Sequence, residues 1–359
     1  MRIVSLDFLR FLAAMSVAGP HMVIYFALSE NLVMLEIVTS LAVEIFFVLS
    51  GFVLCPFLAR IFTSNEAIRK NLWIFLVRRW MRTLPLYGLA LVFFVILFSG
   101  KLNLSTFQYA LFLQNFYWPP PAFDYFSVSW SLAVEEWFYI LFPIFMALFF
   151  AAWGLARKID NRVTVFFIGT VAFIAVFTIL RAVSDVAPEN WGNGLRRVVL
   201  YRVDSIGFGI ILYLVRDHIR KIPVVLIAAI IVVMLVYLFD GYERIHRGVS
   251  HPIEFRFLIF AATAIFSCAV LALFLRLNNT FHARLRGFSL WGGRVSYGIY
   301  LLHIPVAALI GKFLNVWAGA FVGLSLLAIM AVTTVVYYFF EKPILDARPS
   351  FQFDAPGKG

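Results

Sequence analysis

Ten times along 359 residues the chain runs for roughly 17–25 residues with almost no charge, long enough to cross a hydrocarbon core about 30 Å thick as helix. These runs lie near 5–28, 35–58, 84–100, 129–152, 163–182, 198–215, 222–239, 256–275, 294–313 and 317–340. Only 14% of the residues are charged while 63% are hydrophobic, and mean hydropathy is +0.92. A soluble domain carries nearer a quarter charged residues. Lipid must therefore face most of this surface, and spanning segments in lipid are helices or closed barrels because every backbone polar group needs an internal partner. Apolar runs of this length choose helices. The expected fold class is all-α integral membrane, with about ten transmembrane helices. Residues 1–345 form a single transmembrane domain and 346–359 a short tail, whose last residues, Phe353 and the DAPGKG that follows it, fray.

The net charge of +11 is topological and no nucleic-acid footprint. Arg60, Arg69, Lys70, Arg78, Arg79 and Arg82 crowd the connection between the second and third runs, and the connection before it has no Lys or Arg. Arg157, Lys158 and Arg162, then Arg216, Arg220 and Lys221, then Arg276, Arg284, Arg286 and Arg294 repeat the pattern at every second loop. The intervening loops hold Asp124, Asp185, Glu189, Asp240 and Glu243, blurred by Arg196, Arg197, Arg244 and Arg247. The positive-inside bias then puts both termini in the cytoplasm, in agreement with an even span count and with Lys342, Arg348 and Lys358 in the last segment. The stretch 103–118, spotted with Asn103, Gln108, Gln114 and Asn115, reads as re-entrant or interfacial. Asp7, Arg10 and His21 inside the first run, with no small-residue cleavage site after it, mark a retained helix and not a signal peptide. Cys55 and Cys268 imply neither a disulfide framework nor a metal site.

Each ionisable residue deep in the bilayer costs about 2.5 kcal/mol or more and so needs a reason. Arg10 and His21 share a face of the first helix, about 16 Å apart along it. Asp7 lies one turn from Arg10; the two either pair at the interface, with Arg10 snorkelling, or serve a site. His21 follows Gly19-Pro20 and has no local partner. In the second helix Glu44 precedes FFVLSGF, whose Ser50-Gly51 step reads as close helix packing. Arg79 and Arg82 project from one face beside Pro85; topogenic charge and a bidentate anion clamp both account for them. In SWSLAVEEWFY, Ser129 is a candidate N-cap and Ser131 stands one turn from Glu135. Glu135 and Glu136 point in different directions, so one acid faces a shared cavity, and helix-start electrostatics accounts for the other. Arg202 and Asp204 are expected to pair with each other or with Glu135. Ser296, Tyr300 and His303 fall on one face of a later helix. By loop charge, His21, Glu135, Arg202, Asp204 and His303 lie in the outer half, and Arg10, Arg79 and Arg82 on the cytoplasmic side. The residues alone leave two classes open, since buried His, Glu, Asp and Arg serve proton relays and ion paths as well as enzymes. The paired broken helices of two-fold repeat transporters are not evident in the sequence.

Seven motifs in order, LDFLRFLAAMSVAGPH, FFVLSGF, RRWMRTLPLY, SWSLAVEEWFY, YRVDSIGFG, SYGIYLLHIPV and EKP, resemble the membrane acyltransferase family 3, bacterial O-acyltransferases that modify surface polysaccharides. The resemblance covers nearly the whole chain. It implies transfer of an acyl group, most often acetyl from cytoplasmic acetyl-CoA, to a hydroxyl of an extracytoplasmic glycan or lipid-linked glycan such as O-antigen, lipopolysaccharide or exopolysaccharide, in the bacterial inner membrane. Carried over by motif, the family's first-helix Arg and His fall on Arg10 and His21, its RxxR on Arg79 and Arg82, and its SWSL acid on Glu135. Phe11 stands where the family pattern has Gly after its first Arg. On this reading His21 takes the acceptor proton as general base, or carries the acyl group covalently, and Glu135 orients it or binds the sugar. Arg79 and Arg82 hold the nucleotide phosphates of acyl-CoA, with Arg10 further along the donor path. Ser131, Arg202, Asp204, Tyr300 and His303 line the acceptor side. No metal or permanently bound cofactor is expected; acyl-CoA is a substrate. A fused SGNH hydrolase-like domain occurs in some members, and its absence from this sequence implies action alone or with a separate partner. Transfer to a small acceptor such as a macrolide sugar, or of succinyl in place of acetyl, is the alternative within the family.

Overall fold

The computed structural model describes residues 3–25, 32–64, 67–119, 125–156, 161–278, 284–314 and 317–351. Among these the fold is helical throughout: α1 Val4–Tyr25, α2 Leu32–Thr63, α3 Ile68–Phe94, α4 Leu104–Ala110, α5 Trp130–Ala156, α6 Arg162–Ala182, α7 Asp204–Leu214, α8 Arg216–Ile219, α9 Val224–His246, α10 Ile259–Arg276, α11 Arg286–Phe313, α12 Ala318–Val336 and α13 Lys342–Asp346. Eight helical stretches are long and apolar enough to cross a membrane: Val33–Thr63, Ile68–Ser99, Ser127–Ala156, Arg162–Ala182, Val224–His246, Glu254–Arg276, Arg286–Phe313 and Ala318–Asp346. Its surface is apolar, with Ile96, Leu148, Val225, Val236 and Phe339 all exposed, while Glu44, Glu136, Arg181, Arg202, Asp204 and His303 are buried. Apolar outside and ionisable inside is the arrangement that lipid imposes. The chain is an all-α integral membrane protein.

Two of the ten expected spans differ from the eight. α1 has 22 residues but carries Asp7, Arg10 and His21, which lower its apolar character. The run at 198–215 is no full-length helix: it starts with the 3-10 turn Val199–Tyr201 and continues as the 11-residue α7. Eleven residues rise about 16 Å, half of a hydrocarbon core. Arg202 and Asp204 break the run, because each is drawn into an ion pair with a neighbouring helix. The 103–118 stretch is also short of a span. Asn103 caps the seven-residue α4 through a capping box with Thr106, and turns follow it. The expected frayed end, 353–359, lies outside the described residues. Ahead of it Phe351 packs back on the bundle, stacked on Phe57 at 5.1 Å and beneath the Arg78 guanidinium, also at 5.1 Å.

Two helix pairs position the site. α1 and α11 run parallel in contact: Phe11 meets Phe288 and Trp291 at one end, and His21 meets His303 at the other. α2 and α7 also run parallel, and their backbones touch. A Cβ on Gly51 would overlap the Ile206 carbonyl oxygen, and one on Gly209 would overlap the Val48 carbonyl. The close approach expected at Ser50-Gly51 is therefore real. It lets short α7 dock deep against α2, with α6 and α10 on its other sides.

Candidate active site

A cavity opens among α1, α2, α3, α5 and α11. Arg10, Arg79 and Arg82 line it together with Glu135, Ser131, Tyr300 and Ser296. Residues up to 290 positions apart in sequence, Arg10 and Tyr300, thus share one enclosure. Phe46, Phe47, Val43 and Leu132 supply its apolar wall.

The arginines reach it from two helices. Arg10 stands on α1 with Asp7 one turn earlier, 3.7 Å from guanidinium to carboxylate; it serves the cavity as well as the pair. Arg79 is held over two aromatic faces, 5.9 Å from the Phe75 ring and 6.0 Å from that of Tyr139, a placement that orients a guanidinium without neutralising it. Its buried Nε has no hydrogen-bond partner among the described residues. Arg82, three residues on, shares the face as its spacing requires.

Glu135 and Glu136 diverge as adjacent helical residues must. Glu135 faces the cavity, and its Oε1 accepts from Ser50 of α2 and from Tyr139 one turn along α5. Glu136 turns away, 4% exposed, and accepts from Thr83 Oγ1 of α3 at 2.5 Å. Neither acid sits in the first turn of α5, which begins at Trp130, so helix-start electrostatics does not explain the second one; Thr83 does. Ser129 is no N-cap either. Its Oγ donates to the Phe126 carbonyl at 2.7 Å and accepts from Gln114, because a 3-10 turn over Ser127–Ser129 precedes the helix.

Ser131 and Tyr300 meet across the cavity, hydroxyl to hydroxyl, at 2.5 Å. Tyr300 Oη also donates to the Val128 carbonyl at 3.0 Å. A carbonyl only accepts, so Ser131 must be the donor to Tyr300. One turn beyond Tyr300 on α11 comes His303, fully buried, with its Nε2 2.9 Å from His21 Nδ1. Neither imidazole lines the arginine cavity. The expected convergence of His21 with the arginines is therefore not a shared lining, and Tyr300 stands at the junction between cavity and imidazole pair.

Arg202 and Asp204 depart furthest from expectation. They pair neither with each other nor with Glu135. Arg202 binds Glu44 of α2, with side chains 4% and 2% exposed, and Asp204 binds Arg181 of α6 at 2.8 Å, with side chains 1% and 2% exposed. Thr178 adds a second donor to Asp204. Two residues apart on a helix start, the two side chains point to different neighbours, α2 and α6. Arg202 and Glu44 border a second, smaller cavity with Trp130, Trp191, Arg196 and Tyr242; Asp204 borders neither. Sequence reasoning missed Ser50, Thr83, Tyr139 and Tyr297 as cavity residues or supports, and Arg181 as an ionic partner. Small hydroxyls inside apolar helices carry no period or charge that marks them, and Arg181 stood at a run's end where a topogenic charge is ordinary.

The family model described as an acyltransferase domain matches residues 3–340. The chain belongs to the membrane acyltransferase family 3. Among curated relatives, the peptidoglycan O-acetyltransferase OatA of Listeria monocytogenes is 26% identical over 95% of this chain and 55% of its own length. The Bacillus subtilis protein YrhL, named for peptidoglycan O-acetylation, is 28% identical over 85% of this chain and 50% of its own. The O-acetyltransferase OatA of Staphylococcus aureus strain NCTC 8325 is 25% identical over 85% and 52%. The chain spans about half the length of these relatives. No solved structure matches it. For a family member, the cavity that gathers the RxxR arginines and the SWSL acid is the candidate active site.

Proposed function

We propose that this protein is a membrane-embedded O-acyltransferase that moves an acyl group, acetyl above all, from acyl-CoA to a hydroxyl of an extracytoplasmic glycan in the bacterial inner membrane. The observation that carries the proposal is the charge of the cavity: among the described residues three guanidiniums, Arg10, Arg79 and Arg82, line it with one carboxylate, Glu135, and Asp7, which pairs with Arg10 from outside the lining, still leaves the guanidiniums in excess. Such an excess in a lipid-shielded enclosure calls for an anionic ligand. The nucleotide phosphates of acyl-CoA meet the requirement, entering from the arginine-rich loops that the charge bias assigns to the cytoplasm.

In the proposed reaction the acceptor hydroxyl oxygen attacks the thioester carbonyl. Its proton passes to His21, the carbon–sulfur bond breaks, and the thiolate leaves and is protonated as free CoA. Glu135 Oε2, which accepts no hydrogen bond among the described residues, is available to bind an acceptor hydroxyl. Ser131 and Tyr300 occupy the boundary the acyl group has to pass. Two of the relatives are named for peptidoglycan, which adds a cell-wall glycan to O-antigen and exopolysaccharide as acceptor classes. A separate SGNH-type partner and a direct or covalent route both fit this scheme. Ion or solute transport, open on the residues alone, has no observation in its favour once the family is known.

The test is turnover in lipid. Purified protein given acetyl-CoA should release free CoA thiol when glycan is present, and mass spectrometry should find acetyl on the glycan only in cells that make the protein. Release without any modified glycan, or ion flux without release, rejects the proposal.

A further inference from the structure

The two imidazoles define their own proton positions. His303 Nδ1 lies 2.7 Å from the Tyr300 carbonyl oxygen and 3.1 Å from that of Ile299. Carbonyl oxygens only accept, so Nδ1 of His303 carries the proton, and a neutral imidazole then has a bare Nε2. That bare nitrogen is the atom 2.9 Å from His21 Nδ1. Two bare nitrogens would repel, so His21 Nδ1 must carry its proton and donate it. The ring planes are 3° apart with centroids at 5.1 Å. With nitrogens in contact at 2.9 Å, that separation sets the rings edge to edge in one plane, the alignment of a good N–H···N bond. His21 Nε2 is left as a lone pair with no hydrogen-bond partner among the described residues, on a side chain that is only half-buried.

We infer that His303 is the positioning residue of the reaction: it holds His21 as the Nδ1–H tautomer, with Nε2 bare and directed to the acceptor hydroxyl. The inference rests on the reading of His21 as general base and gives that base its reactive atom. When the acceptor proton moves to His21 Nε2, the positive charge on the ring strengthens the Nδ1–H bond to His303. The role is that of the carboxylate in a hydrolase triad, which orients a histidine and fixes its tautomer. A second imidazole performs it without adding a permanent charge at this depth, where a carboxylate would cost more. Backbone carbonyls of α11 set the direction of the whole relay, so the protein needs no further side chain to define it. This assigns His303 away from the acceptor-lining role that the family resemblance implied.

The experiment uses full-length protein labelled with 15N-histidine and reconstituted in lipid, with His21 signals assigned by their loss in His21→Gln. Wild type should show His21 with Nδ1 protonated and Nε2 bare. His303→Gln, whose side-chain oxygen reaches the same place as an acceptor, should keep that tautomer. His303→Ala should lose it. With acetyl-CoA as donor and a short chitin oligosaccharide as probe acceptor, kcat of the folded His303→Ala protein should fall about 100-fold, with donor KM within about twofold of wild type. His303→Gln should recover most of kcat. A protonated Nε2 on His21 in the wild type overturns the inference, as does full activity in His303→Ala, or a folded His303→Gln no better than His303→Ala. Activity persisting in His21→Gln removes the base reading and this role with it, and is told apart because the tautomer is measured without turnover.

Discussion

Charges around α7 and charges lining the cavity are built on opposite rules. Around α7 the charges are matched: Arg202 with Glu44, Arg181 with Asp204, each pair with side chains at most 4% exposed. Both guanidiniums also face the Phe260 ring, at 4.3 Å for Arg181 and 4.7 Å for Arg202. In the cavity guanidiniums outnumber acids: Arg79 and Arg82 share the lining carboxylate Glu135, and Glu341, outside the lining, acts electrostatically on Arg82 alone of the two. Matched charges complete a structure. Unmatched ones in a hollow are held ready for something that is not protein. The same residue types therefore mean opposite things in two regions of one bundle, and the local balance of charge decides which.

Breaking the matched set should cost most and should read as stability. Asp204→Ala strands Arg181 in the interior, and losing one partner of a buried pair costs about 3–5 kcal/mol. The expected result is a large drop in melting temperature in detergent, with donor KM unchanged in whatever protein stays folded. An Asp204→Ala protein with normal melting and a raised donor KM would erase the distinction drawn above.

The unmatched set should respond the other way. Arg79→Ala or Arg82→Ala removes charge-assisted bonds worth about 1.5–3 kcal/mol, so donor KM should rise about 10- to 100-fold while melting holds or improves. An unchanged donor KM would take these arginines out of phosphate binding and return them to topology.

Thr83→Val sharpens the boundary between the sets, because Thr83 donates a hydrogen bond to buried Glu136 while also bordering the cavity. Removing that donor, with Trp80 left as the carboxyl's remaining side-chain partner, should cost about 1–2 kcal/mol of stability, with a smaller effect on KM. The smallest change expected is Ser131→Ala. Tyr300 keeps its bond to the Val128 carbonyl, so the loss is one donor, about 0.5–1.5 kcal/mol, seen as a severalfold change in turnover at constant melting temperature. A Ser131→Ala protein with no turnover at all would instead put that hydroxyl in the chemistry.

Much of this was legible beforehand, and the reasons are specific. Arg79 and Arg82 were identifiable as one face because three residues bring helical side chains to the same side. The divergence of Glu135 from Glu136 follows from the same geometry. Ser50-Gly51 was read as a packing step, and Gly51 is one; Ser50 beside it also donates to Glu135, which no local pattern could reveal. Arg202 and Asp204 looked like partners because they are near neighbours in sequence. Their true partners, Glu44 and Arg181, lie 158 and 23 residues away, and no propensity or period reaches across such gaps.

The amino-acid sequence by itself determined the solvent, the helical class and the register of each face, since those follow from chain-local facts: run length, hydropathy and a period of 3.6 residues. It also carried the family in its ordered motifs. Only the tertiary structure decided which ionisable groups neutralise each other, that α7 is a half-length helix, and that His21 meets His303. In a low-dielectric interior a charge or a lone pair takes its meaning from what stands within a few ångströms, and those neighbours are set by how helices pack.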